Sequence, residues 1–337
     1  MNTFWKHPLF LSIFVATINA TATPDERPQA LAIQVETAPV IDGIIEELIW
    51  SQAETLTNFT QSEPLEGQPA TEKTEVRILF DETSLYVGVI CYDSSPSSLV
   101  VTDSRRDSNL LDMDSFQMIF DTYQDRQNGF VFGTNPAGME YDGQVSKAGG
   151  GGQSSSQRSQ AGVGNGFNLN WDASFTVRTQ INEIGWTAEF KIPLRTLRYS
   201  SRKPQSWGLN FKRNIRRKRE EVYWSPVSRI QNFYRLSSAG DLNGLNLEAP
   251  RNFKVTPFVL SSGHKEFTKK SSTDLNAQIG VDAKFGVTAA LNIDVTVNTD
   301  FAQVEVDDQQ INLTRFNLFF PEKRPFFLEN AGTFSMG

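Results

Sequence analysis

Two guanidiniums and three carboxylates fall close together in Arg105-Arg106-Asp107 and Asp112-Met113-Asp114. Side chains of these types hold ligands in two ways. Guanidinium and carboxylate groups hydrogen-bond in-plane hydroxyls such as those of a sugar. Carboxylates also gather around a hard cation: calcium takes about six to eight oxygen ligands, and Asp112, Asp114, Asp121 and backbone carbonyls supply several. The spacing is not that of an EF-hand loop. The plainer reading of the same residues is a mutually neutralising surface network, worth little energetically. A flat aromatic face covers the apolar side of a pyranose, and Tyr141, Trp171, Trp186, Trp207 and Trp224 are available for that task. Trp171, in Asn168-Leu169-Asn170-Trp171-Asp172, is expected to face a ligand together with Tyr141, Arg105, Arg106, Asp107 and Asn135. Trp50 and Trp186 lie in apolar-patterned elements and are expected in the core.

Composition removes several other chemistries. Histidine occurs twice, as His7 and His264, the latter in a stretch that reads as a turn, so a histidine-dependent triad is excluded. One cysteine, Cys91, leaves no intramolecular disulfide, and with so few histidines no His/Cys zinc site can be assembled. Cys91 sits in Leu85-Tyr-Val-Gly-Val-Ile-Cys-Tyr92, an apolar run that predicts a buried, unreactive thiol. The formal charge of −7 argues against a nucleic-acid partner, which needs a basic footprint. Catalysis, if present, falls to carboxylates; a glycoside hydrolase needs two across the scissile bond, and no pair stands out among 39 acidic residues.

Strands must position these groups. Glu75–Phe80 and Leu85–Ile90, separated by Asp81-Glu-Thr-Ser84, predict a hairpin. Further strands are predicted at 115–120, 129–132, 173–178, 185–192 and 207–213. Short helices are predicted at Ile45–Trp50 and, with proline at its first position, at Pro193–Leu197. The basic run from Lys212 to Arg219 has the charge to follow an anionic polysaccharide, and its plainer reading is a charged edge strand or loop. Residues 149–166, rich in Gly, Ser, Gln and Asn, read as a mobile loop. From about residue 250 the pattern changes. Ala277, Ile279, Val281, Ala283 and Phe285 alternate with polar residues, and Leu291, Ile293, Val295 and Val297 repeat the pattern. Such alternation fits a membrane barrel strand or a soluble sheet with one wet face. At the other end, a lysine, an apolar run from Pro8 to Ile18 and a close at Ala20-Thr21-Ala22 fit a secretory signal peptide over residues 1–22.

The segments Asn298–Glu305 and Arg315–Glu329 resemble a block of the barrel-associated domain of unknown function numbered 5916. That family pairs an N-terminal domain similar to family-9 carbohydrate-binding modules with a C-terminal outer-membrane barrel. Ile41–Trp50, Pro69–Arg77, Leu85–Gly88, Arg105–Asp107, Asp125-Arg126, Asn135-Pro136, Trp171-Asp172, Gly185-Trp186 and Trp224–Pro226 are similar to the N-terminal part. The resemblance implies an all-β protein: an antiparallel, jelly-roll-like β-sandwich over 30–248, then the first strands of an outer-membrane β-barrel over 250–337. A closed barrel needs many more strands, so a truncated chain is expected. The implied function is binding of an oligosaccharide or polysaccharide by an exported module at the bacterial outer membrane. The alternatives are a glycoside hydrolase and a non-catalytic plug or docking domain.

Overall fold

The computed structural model describes residues 27–149, 166–169, 171–200, 203–248, 253–264, 274–288 and 291–298. The expectations for the leader at 1–22, for most of the Gly/Ser/Gln loop and for the block at 299–329 lie outside these residues. In chain order the first strands are β1 (Gln29–Leu31), β2 (Ile33–Gln34), β3 (Thr60–Glu63), β4 (Thr74–Phe80), β5 (Ser84–Tyr92) and β6 (Ser115–Asp121). They are followed by β7 (Gly129–Thr134), β8 (Tyr141–Val145), β9 (Phe167–Asn168), β10 (Thr176–Asn182), β11 (Gly185–Pro193) and β12 (Gln205–Ile215). The last are β13 (Glu220–Tyr223), β14 (Gly240–Leu245), β15 (Phe253–His264), β16 (Asp274–Thr288) and β17 (Leu291–Val297).

Strict alternation on the central strands decides the architecture, because successive side chains of a strand point to opposite faces. Phe116, Met118 and Phe120 of β6 and Trp207, Leu209 and Phe211 of β12 point into one core cluster. They meet Val76, Ile78 and Phe80 of β4, Val87 and Val89 of β5, and Trp186, Ala188, Phe190 and Ile192 of β11. Each fully buried residue of this size contributes roughly 1.5–3 kcal/mol relative to exposure, which is why two sheets close on each other. The larger sheet runs β1-β14-β12-β6-β7-β8-β9, with β13 on the far half of β12 and β3 beyond it. The smaller sheet runs β10-β11-β5-β4-β2. Pairing is antiparallel except at two edges, where β1 lies parallel to β14 and β2 parallel to β4. The sandwich is therefore mixed where an antiparallel one was expected.

Both outer faces are clothed. On the smaller sheet Trp50, Val35 and Ala53 pack over Leu79 and Tyr86, with Ile41, Ile45 and Ile49 alongside. The helix predicted at Ile45–Trp50 is a 3-10 turn at Leu48–Gln52, entered and left by extended backbone at Glu47 and Ala53 with no side-chain cap. Pulling Trp50 down onto the sheet leaves no room for an α-helical turn. The second predicted helix is also a single 3-10 turn, Leu194–Thr196, capped by Pro193.

The basic run is not an edge. Lys212 and Arg213 lie in β12, flanked by β6 and β13, and only Arg216–Lys218 form an exposed 3-10 turn. Arg213 is fully buried between the sheets. Its guanidinium donates to Lys73 O at 2.9 Å, Thr74 Oγ1 at 3.1 Å and Tyr92 O at 2.7 Å, stapling one sheet to the other, while Nε has no partner. Cys91 is buried beside it as expected, and burial pushes its thiol up to about 12.

Beyond the sandwich, β15, β16 and β17 form a separate antiparallel sheet. His264, expected in a turn, closes β15. Register places Val255, Ala283 and Val295 in one row, Pro257, Val281 and Val297 in the next, and Val259 beside Ile279. Val255, Val259, Ile279, Phe285, Ile293, Val295 and Val297 are all exposed. In the alternate rows the Thr296 hydroxyl donates to Asp282 at 2.6 Å.

Candidate functional site

The outer face of the larger sheet carries the most ligand-like arrangement. Register aligns Tyr141 of β8, Gly133 of β7, Gln117 of β6, Lys212 of β12 and Tyr223 of β13 in a single cross-strand row. Gly133 presents no side chain, and a Cβ there would stand 3.0 Å from Gln117 Cγ and 3.0 Å from Leu110 Cδ1. The gap leaves Gln117 its place. Gln117 is 4% exposed, and its amide has no hydrogen-bond partner among the described residues. Its amide is not among the buried atoms that lack a partner, so the tip of the side chain reaches solvent and can bond a ligand there. Beside it Lys212 Nζ pairs with Glu221 at 2.9 Å and lies 5.7 Å above the Tyr223 ring, and the Tyr223 hydroxyl donates to Glu221 at 3.1 Å.

Aromatic contacts link the two ends of the row. Tyr141 stacks on Phe167 at 6.2 Å, Phe167 on Tyr234 at 4.2 Å, Tyr234 meets Phe233 at 6.0 Å, and Phe233 meets Tyr223 at 6.1 Å. Burial raises the phenols of Tyr141, Tyr223 and Tyr234, keeping all three neutral and able to donate. Rings, a spare amide, an ammonium and a carboxylate thus surround one stretch of sheet. Tyr141, Tyr223 and Phe233 pack into a second core cluster, so the partly buried rings of Phe167 and Tyr234, with the polar groups, are what can meet apolar C–H faces and hydroxyls.

The residues expected to bind ligand divide. Tyr141 belongs to the row. Arg106 and Asp107 lie in an ionic cluster with Glu140, Asp142 and Asp172, and Asp142 points to the face of β8 opposite Tyr141. Trp171 is a correction: it is buried, with its ring against Phe130 at 5.1 Å and Phe132 at 6.1 Å, so it packs the core. Trp186, Trp207 and Trp224 belong to the same core cluster. Arg105 turns outward to Asp103 at 2.6 Å and does not join the cluster. Asn135 is fully buried and spent on structure, donating to Asp103 O at 2.8 Å and accepting from Ala137 N and Met139 N at 3.0 and 3.2 Å.

The three expected calcium ligands do not converge. Asp114 and Asp121 sit at opposite ends of β6, roughly 20 Å of strand apart. Asp114 accepts from Val100 N at 2.7 Å, Asp121 from Arg126 N at 2.7 Å, and Asp112 is exposed beside Arg216. Among the described residues no three acidic, histidine or cysteine side chains could hold a metal ion.

Sequence reasoning missed Gln117, Glu221, Tyr223, Phe233, Tyr234 and Phe167, and named Lys212 only as part of the basic run. The one local signal was a polar residue at the outward position of an apolar strand, Gln117 between Phe116 and Met118.

Comparisons with known proteins follow this geometry. Two structures of a family 9 carbohydrate-binding module from Caldicellulosiruptor kristjanssonii, with cellotriose and with glucose, are similar at 17% identity and TM-score 0.43. The likeness covers 66% of this chain and 95% and 97% of theirs. A chain from Bacteroides uniformis described as a carbohydrate-binding protein is similar at 12% identity and TM-score 0.47, covering 66% of this chain and 99% of that one. No curated protein matches. Residues 249–337 match the domain of unknown function DUF5916. Residues 41–224, more than half of the chain, match the profile of the carbohydrate family 9 binding domain-like family, and the chain belongs to that family.

Proposed function

We propose that the sandwich, taken as residues 30–248, binds an oligosaccharide on the outer face of its larger sheet, over the row from Tyr141 to Tyr223. The observation that carries this reading is the unpartnered amide of Gln117, nearly buried yet flanked by rings and by Lys212. Membership of the family supports the ligand class. Calorimetric titration of the full chain with glucose and cellotriose, the sugars held by the Caldicellulosiruptor modules, tests it. Saturable binding lost in Gln117→Ala supports the site; no binding to either sugar or to a wider oligosaccharide panel overturns it. A docking or plug role is the second reading, favoured by the burial of Tyr141 and Tyr223 at 8% and 3% exposure.

Residues 250–337 belong, in this proposal, to the start of a bacterial outer-membrane barrel, and 1–22 export the chain. The exposed apolar rows of β15, β16 and β17, with Asp282 and Thr296 on alternate rows, support that reading. Among the described residues no helix is long and apolar enough to cross a membrane. Fractionation of expressing cells, with the chain recovered in outer-membrane fractions and resistant to salt extraction, is the expected outcome. Recovery in the soluble periplasm overturns it.

A further inference from the structure

Arg106 gathers carboxylates from three separate segments. Its guanidinium meets Glu140 at 2.7 Å and Asp172 at 2.5 Å, bonds Asp142, and lies 3.5 Å from Asp107. Glu140 leads into β8, Asp142 lies within it, Asp107 belongs to the loop between β5 and β6, and Asp172 follows Trp171. One positive charge therefore faces four negative ones. Asp142 has no exposed surface, and its second oxygen accepts from Ala173 N at 2.6 Å. Asp107 accepts in turn from Asp142 N at 3.3 Å. The loop, β8 and the Trp171–Ala173 segment are thus tied through groups that repel when fully ionised.

Among the described residues Arg106 is the one cation that acts on Asp142. Strands β7 and β9, which flank β8, contribute no charged side chain. In the loop, Asp103 and Arg105 neutralise each other. The Tyr141 phenol stays neutral and reaches toward Tyr234.

We propose that the Arg106 cluster is a proton-operated latch: it holds Trp171–Ala173 against β8 while one of its four carboxylates is neutral, and slackens when all are ionised. Burial supports this, pushing Asp142 up to about 7, with Asp107 and Asp172 adding to the rise and Ala173 N–H and Arg106 opposing it. Asp107 is raised as well, chiefly by burial. The sign follows from linkage. The latched state holds a proton that the released state gives up, so latching weakens as pH rises towards about 7. Because Tyr141 is the next residue along β8 and faces the row, the latch sets the footing of one end of the proposed binding face.

Hydrogen exchange of the ligand-free full chain, read at the Ala173 amide as a protection factor corrected for intrinsic pH dependence, tests the latch without reference to sugar binding. Protection is expected to fall at least tenfold as pH rises towards about 7 and to level off above it, since the rise of Asp142 from its ordinary value to about 7 exceeds the one unit that a tenfold change needs. Asp142→Asn removes the pH dependence. Arg106→Gln, which takes away the cation that favours ionised Asp142, moves the midpoint upward and decides the matter if Asp142→Asn fails to fold. Constant protection as pH rises towards about 7 in the unaltered chain, or a midpoint unmoved in Arg106→Gln, overturns the proposal.

Discussion

The indole Nε1 of Trp50 donates to Glu189 Oε1 at 2.9 Å, on the outer face of the smaller sheet. The other carboxylate oxygen accepts from Asp42 N at 2.9 Å and Gly43 N at 2.8 Å. One carboxylate therefore fastens both ends of the Ile41–Trp50 segment to β11. Gly43 has φ +91°, and a Cβ there would stand 2.9 Å from the Thr179 carbonyl carbon, so glycine is required for the approach.

Glu189→Ala leaves three donors without their acceptor and is expected to cost about 3 kcal/mol or more in denaturant unfolding. Burial raises the Glu189 carboxyl, opposed by these same donors. In the folded state it holds a proton to higher pH than in the unfolded chain, so its contribution to stability declines as pH rises between the unfolded and folded values. Glu189→Gln should flatten that part of the stability–pH curve.

Gly88 lies under the same indole: a Cβ would meet Trp50 Cζ3 at 3.0 Å. Gly88→Ala is expected to destabilise by about 1–3 kcal/mol through overpacking, visible as a lowered melting temperature. A Trp50→Leu background, with a smaller side chain above the glycine, should reduce that penalty.

Gln117→Ala separates binding from folding. The amide bonds none of the described residues, so the melting temperature should change little. Affinity for a bound oligosaccharide should drop about tenfold, the loss of roughly one good hydrogen bond. Calorimetry and thermal melts on the same preparation check both halves.

Arg213→Ala removes the buried guanidinium that bonds Thr74 Oγ1 and Tyr92 O across the sandwich, while Lys73 O keeps its bond from Tyr92 N. A loss of about 2–3 kcal/mol is expected, the scale of buried hydrogen bonds to a charged group. Cys91, beside it, should resist thiol reagents in the native state and react once the chain is unfolded, since its thiolate is disfavoured by burial.

Much of the sandwich is readable from alternation along single strands. Phe116, Met118 and Phe120, or Trp186, Ala188 and Phe190, declare their inward faces without any partner in view. The row from Tyr141 to Tyr223 is different, because it exists only through the register of five strands, and register is a tertiary property. Trp171 shows the converse: its Asn-rich flanks suggested exposure, yet the rings of Phe130 and Phe132 lie within reach of the indole. The three aspartates failed as a metal set for the same reason, since closeness along β6 becomes distance in an extended strand.

The N-terminal strand carries a consequence for biogenesis. β1 pairs with β14 through Gln29–Asp241, Ala30–Leu242 and Leu31–Asn243, and β2, after Ala32 alone, pairs with β4 in the opposite sheet. A side-chain bond from Gln29 to Asp241 closes the same juncture across 212 residues. A chain emerging N-terminus first would present its earliest strand long before that strand's partner exists. Closure of the sandwich is therefore a late, topologically slow event, and until residues 240–245 arrive the edge of β12 stands open to chaperones or to a neighbouring nascent chain.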